Sequence, residues 1–149
     1  MSNEHRWFMN AYLRIILSRA DSAAGVSIME HKMLEGFGPP LHVHNNEDET
    51  FYILEGRFRF RLSDQAVERG PGESVHVPGG MVHTFRVLSQ VGRFLTVTNG
   101  AFEDMAMEAS VPAAFPDLPE QAPFTLEDQT RLGISCNRAG IEFLGPPIE

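Results

Sequence analysis

Apolar and charged residues alternate with period two through Arg57-Phe58-Arg59-Phe60-Arg61-Leu62. The alternation predicts a strand over 57–62, with Phe58, Phe60 and Leu62 on a buried face and the arginines on the other. Comparable short runs, each broken by Gly, Pro, Asn or Asp, predict strands over 13–18, 26–33, 41–44, 49–54, 74–77, 83–87 and 94–98. Gly56 reads as a tight hairpin turn, and Gly70-Pro71-Gly72 and Pro78-Gly79-Gly80 as further turns. Short strands at this spacing point to an all-β sandwich or barrel. Phe51-Tyr52-Ile53-Leu54 and Phe94-Leu95 are apolar on both faces, so their outer surface needs a cover, which predicts a homodimer.

Beyond Gly100 the pattern changes. Pro112, Pro116, Pro119 and Pro123 predict an extended connector over 110–123. Thr125, with Asp128 three residues on, predicts a helix N-cap and a short C-terminal helix over 126–132 that stops at Gly133. The expectation is a single domain over 1–149 whose core covers roughly 12–100, with no role assigned to the segment 1–11.

Composition narrows the partners. The chain is 42% hydrophobic and 21% charged, a globular balance that excludes wholesale disorder. A net charge of −8 without a Lys/Arg cluster argues against nucleic acid and against an anionic membrane surface. Cys136 is the only cysteine, so neither an intrachain disulfide nor a thiolate metal cage is available. Ile15-Ile16-Leu17 is too short a run for a secretory signal or a membrane span, and the expected location is the cytoplasm.

Candidate chemistry lies between Gly36 and Gly56. His42 and His44, two apart on one strand, point to the same face, so both imidazoles can reach one ion. Asn45-Asn46-Glu47-Asp48 is turn chemistry, and a reversal there returns Glu49 toward the histidines from a neighbouring strand. A second turn-strand unit, with Gly72, Pro78 and Gly80, ends in a third imidazole at His83. Three imidazoles and a carboxylate suit one divalent transition metal: Mn, Fe, Co, Ni, Cu or Zn.

These residues resemble the two motifs of the cupins. Gly36, His42, His44, Glu49 and Gly56 fit every fixed position of the first, and Gly72, Pro78, Gly80 and His83 fit the second; Val87 stands where an Asn is usual. Gly38-Pro39-Pro40-Leu41-His42, Glu47-Asp48-Glu49-Thr50-Phe51-Tyr52 and the closing Gly140-Ile141-Glu142-Phe143-Leu144-Gly145 are similar to small single-domain cupins of the quercetin 2,3-dioxygenase-like group. The resemblance implies a double-stranded β-helix, the jelly-roll barrel, with the metal held by His42, His44, Glu49 and His83. It implies a dioxygenase acting on a small aromatic or enolic, flavonol-like substrate, with Glu49 both ligand and proton acceptor. Carried onto the barrel by strand parity, Phe51, Ile53, Phe58, Phe60 and Phe85 are expected to line the substrate pocket. The alternatives are a non-oxidative cupin enzyme, such as an isomerase or cyclase, and a cupin that binds a small ligand without catalysis.

Other residues receive plainer expectations. Glu47 and Asp48 read as solvated turn residues, the arginines of 57–61 as a solvated face, and His76 as facing water. His5 and His31 receive no functional assignment, and Cys136 reads as a small buried apolar residue following the helix.

Overall fold

The alternating runs become strands in the computed structural model, which describes residues 4–149. They are β1 (His5–Phe8), β2 (Ala11–Leu17), β3 (Ser27–Leu34), β4 (Leu41–His44), β5 (Glu49–Glu55), β6 (Phe58–Leu62), β7 (Gln65–Arg69), β8 (Ser74–Val77), β9 (His83–Val87) and β10 (Val91–Thr98). Helix α1 (Phe102–Ala109), strand β11 (Val111–Pro112), helix α2 (Leu126–Arg138) and strand β12 (Ile141–Gly145) follow. Among the described residues no helix is long and apolar enough to cross a membrane.

The strands form a seven-stranded sheet, β11-β1-β2-β3-β10-β5-β8, and a five-stranded sheet, β12-β4-β9-β6-β7. Every pairing is antiparallel, and chain neighbours such as β3 and β4 or β4 and β5 lie in opposite sheets, the crossing pattern of a jelly roll. Inward residues fill the space between the sheets. Phe58, Phe60, Ile53 and Val87 are fully enclosed, and Phe94 packs against Phe58 at 5.1 Å between ring centroids. Gly92 on β10 makes that packing possible, since a Cβ there would lie 2.5 Å from Phe58 Cζ and 2.9 Å from Val87 Cγ1.

Three features depart from the sequence expectation. First, α2 runs through Gly133 to Arg138, and the chain turns at Gly140, whose φ is +73°. One interior glycine costs a helix about 1 kcal/mol; extending it buries Ser135, Cys136 and the following Ala139, which outweighs that cost. Its start is as expected: Thr125 Oγ1 accepts from the Asp128 N–H at 3.1 Å, and the Thr125 N–H donates to Asp128 Oδ2 at 3.0 Å. Second, α1 was not anticipated, because Ala101 offers no side-chain cap. Third, β1, β7 and β12 are additional strands, and in β7 only Val67 is packed against the core. After β11 the connector follows the outside of the larger sheet, where Trp7 Nε1–H donates to the Asp117 carbonyl at 2.7 Å and Lys32 pairs with Asp117 at 2.8 Å.

Replacing Phe58 with Ala should lower the unfolding free energy by about 3–5 kcal/mol, the range for emptying an aromatic core position. Denaturant unfolding of the metal-free protein measures this, and a loss under about 1 kcal/mol would contradict the placement of this ring.

Candidate metal centre and its cavity

Strand pairing brings the four expected ligands together. His42 and His44 share the inner face of β4, and His42 stands opposite His83 of β9 in register. Ring centroids are 4.4 Å apart for His42 and His83, and 5.3 Å for His44 with each of the other two. The turn after His44 is tied down by the Asn45 N–H donating to the Gly140 carbonyl at 2.9 Å, and it delivers Glu49 to the first position of β5. Glu49 Oε1 lies 3.1 Å from His83 Nε2 and 3.5 Å from His44 Nε2. One donor atom from each residue falls within 4.8 Å of all the others. Two donors on one ion, each about 2.1 Å from it, stand at most about 4.2 Å apart, so a small contraction closes the set.

Backbone and side-chain acceptors fix the imidazoles for this task. A carbonyl can only accept, so His42 Nδ1–H donates to Pro40 O at 2.7 Å and His83 Nδ1–H to Met81 O at 3.0 Å. His44 Nδ1–H donates to Glu47 Oε2 at 3.2 Å. Each ring therefore turns Nε2 inward, the arrangement in which outer partners orient metal-binding histidines. Burial and the neighbouring His83 and His44 hold His42 down to about 3. Burial would raise Glu49, but His44 and His83 draw it down to about 2, so the carboxylate is ionised. Burial would lower His44, yet Glu49 and Glu47 together raise it. A neutral imidazole and an ionised carboxylate are the forms a cation requires. Opposite Glu49 in register, Thr98 Oγ1 is a buried hydroxyl that has no hydrogen-bond partner among the described residues, a polar atom left over beside the ligand set.

A cavity of about 70 Å³ opens from three of the four ligands, His42, His44 and Glu49. Its barrel wall includes Phe51, Phe85 and Phe94, and its cap is Phe102 and Met105 of α1 with Leu132 and Cys136 of α2. Of the five expected pocket residues, Phe51 and Phe85 line it, whereas Ile53, Phe58 and Phe60 do not. Parity puts all five inside the barrel but says nothing about depth: Ile53, Phe58 and Phe60 belong to the close-packed core beyond the cavity floor.

Sequence reasoning passed over two groups here. His31 on β3 lines the cavity, 6% exposed, with its Nε2 2.8 Å from Thr96 Oγ1 and its ring tilted against Phe94 at 4.9 Å. It received no functional assignment from the sequence, although its parity with Met29 and Met33 places it on the inner face. Glu47 is the second, buried where a solvated turn residue was expected; Asp48 beside it is exposed. His76 is exposed as read. Cys136 is buried as expected but within α2, and burial pushes its thiol up to about 12, far from a nucleophile's range.

Burial holds His31 at about 4, below its ordinary 6.5. Between those values the unfolded chain takes up a proton that the folded chain refuses, so stability falls on acidification. At pH 5 this amounts to about 2 kcal/mol. A His31→Leu variant should lose that much less stability than the parent between pH 7 and pH 5, read by urea unfolding of metal-free protein at both values. An equally steep fall would contradict a buried neutral His31.

Comparison with known proteins follows the same lines. Residues 29–98 match the family described as Cupin domain, a segment containing all four ligands. A stretch of 63 residues is 36% identical to quercetin 2,3-dioxygenase of Bacillus subtilis (strain 168), covering 42% of this chain and 19% of that protein. The chain thus spans less than a fifth of that relative. Among solved structures, a predicted oxalate decarboxylase from Thermotoga maritima superposes with a TM-score of 0.59 at 21% identity, over 66% of this chain and 92% of that one. The polyketide cyclase RemF from Streptomyces resistomycificus gives a TM-score of 0.53 at 29% identity, over 61% of this chain and 66% of that one. From β3 to the end of β10, fold and sequence agree: residues 29–98 match the Cupin domain family, and a stretch of the chain is similar to a quercetin 2,3-dioxygenase.

Proposed function

We propose that this cupin is a metal-dependent dioxygenase acting on a small aromatic or enolic substrate, with one divalent transition ion held by His42, His44, Glu49 and His83. The observation that carries this is the convergence of four donors within 4.8 Å of one another, three of which (His42, His44 and Glu49) line an aromatic cavity. An ion bound there supplies a Lewis acid that favours the enolate of the substrate and, where redox-active, the means of using dioxygen. Glu49, within hydrogen-bond distance of His83 and on the cavity wall, is both ligand and proton acceptor for the substrate hydroxyl. Phe51, Phe85, Phe94 and Phe102 exclude water and offer ring faces to a flat molecule. His31 and Thr96 use one donor and one acceptor on each other, and retain hydrogen-bonding capacity for a second polar group of the substrate.

Volume separates members of the substrate class. Pockets for ligands of drug size measure roughly 300–1,000 Å³, against about 70 Å³ here. A compact enediol suits this space, whereas a full flavonol requires α1 and α2 to withdraw. A non-oxidative cyclase or isomerase is the second reading, favoured by the 29% identity with the polyketide cyclase.

Metal-reconstituted protein should consume oxygen in step with the loss of absorbance of an enediol or flavonol, and His83→Ala should abolish both metal retention and turnover. Full metal retention by His83→Ala contradicts the ligand set. Turnover under strict anaerobiosis selects the non-oxidative reading, and binding with no turnover in either atmosphere selects a ligand-binding cupin.

A homodimer is proposed through the outer face of β5 and β10, where Tyr52 and Val97 are exposed apolar side chains on neighbouring strands. Light scattering should give twice the chain mass at micromolar concentration; a monomer mass would refute the pairing.

A further inference from the structure

We propose that Glu47 is a positioning residue that couples occupation of the metal centre to closure of α1 over the cavity; this rests on the metal-centre reading above. The side chain of Glu47 is 1% exposed, and its two oxygens serve different elements. Oε2 accepts from His44 Nδ1–H at 3.2 Å, while Oε1 accepts from the backbone N–H of Phe102, the first residue of α1, at 3.3 Å. One carboxylate therefore holds the back of a ligand and the front of the cap.

The surrounding contacts keep that bridge short. The Asp48 N–H donates to Asn99 Oδ1 at 3.1 Å, pinning the ligand turn to the loop that leads into α1. Gly100 lets this loop pass directly over Glu47, because a Cβ there would lie 2.8 Å from Glu47 Cβ and 3.1 Å from its Oε1. The Phe102 ring then sits against His44, with centroids 5.4 Å apart. Phe102 and Met105 are cavity wall, so whatever holds the first turn of α1 holds that wall.

The coupling follows from hydrogen-bond chemistry. A cation on His44 Nε2 withdraws electron density from the ring and makes Nδ1–H a stronger donor to Glu47 Oε2. A carboxylate fixed by that bond presents Oε1 to the N-terminus of α1, where negative charge is favourable. Linkage makes the effect reciprocal: a cap that is harder to close weakens cation binding by the same factor by which the cation tightens the cap. Another anchor of α1, Glu103, gives independent access to that reciprocity. Glu103 accepts from Ser18 Oγ at 2.8 Å, Ser27 Oγ at 2.7 Å and the Arg19 N–H at 3.1 Å, and contacts none of the four ligands in these bonds.

Cobalt(II) titration of the full chain, followed by its d–d absorption and by hydrogen exchange of the amides of 102–109, tests the proposal. In the parent protein, cobalt should slow exchange across α1. Glu47→Gln keeps the volume but can accept through one oxygen only; it should weaken cobalt binding ~10–100-fold, alter the d–d spectrum and abolish the slowing of α1. Glu103→Gln, whose parent side chain bonds to Ser18, Arg19 and Ser27 rather than to a ligand, should speed α1 exchange and weaken cobalt binding several-fold. Should Glu47→Gln not fold, the parent and Glu103→Gln still decide. Parent protein that binds cobalt without any change in α1, or either variant binding cobalt as tightly as the parent, overturns the coupling alone. Parent protein that binds no cobalt overturns it together with the metal-centre reading.

Discussion

One buried carboxylate governs this molecule. Glu49 is 2% exposed at the edge of a phenylalanine core, where an isolated negative charge would cost several kcal/mol. It is sustained by His44 and His83, which lie on β4 and β9 of the smaller sheet while Glu49 belongs to β5 of the larger. Contacts of Glu49 with these two rings thus join the sheets at one end, where a shared cation would complete the set, and aromatic packing between Phe58, Phe60 and Phe94 closes them at the other. Cavity, cap and outer hydrogen bonds are arranged around that polar end.

Much of this was legible in the chain because β-structure repeats every two residues. The alternation at 57–62, the spacing of His42 and His44, and the turn chemistry of 45–48 each translate into a side chain's facing without knowledge of its neighbours. The same rule turns Phe51, Phe85, Ile53, Phe58 and Phe60 inward; Phe51 and Phe85 reach the cavity and the other three do not, because period two encodes which side a residue faces and not how far along the barrel it lies.

What escaped the sequence depends on distant partners. Glu47 looks like a turn residue until Phe102 and Gly100, more than fifty positions on, are seen to close over it. His31 carries no functional signal until Thr96 and Phe94 are seen beside it on β10. Gly133 carries a helix-stop signal, and only the burial of Ser135 and Cys136 beyond it shows why the helix continues. Local propensity lost to tertiary packing in each instance.

The position of β12 has a further consequence. β4 pairs with β9 on one side and β12 on the other, so the strand carrying two of the ligands becomes an interior strand only once a segment from far downstream docks. Until then its hydrogen-bonding groups are open to a foreign strand, and the loop to be closed is among the longest in the chain. Damage to the C-terminal strand therefore turns the strand that carries two of the candidate ligands into an open sheet edge.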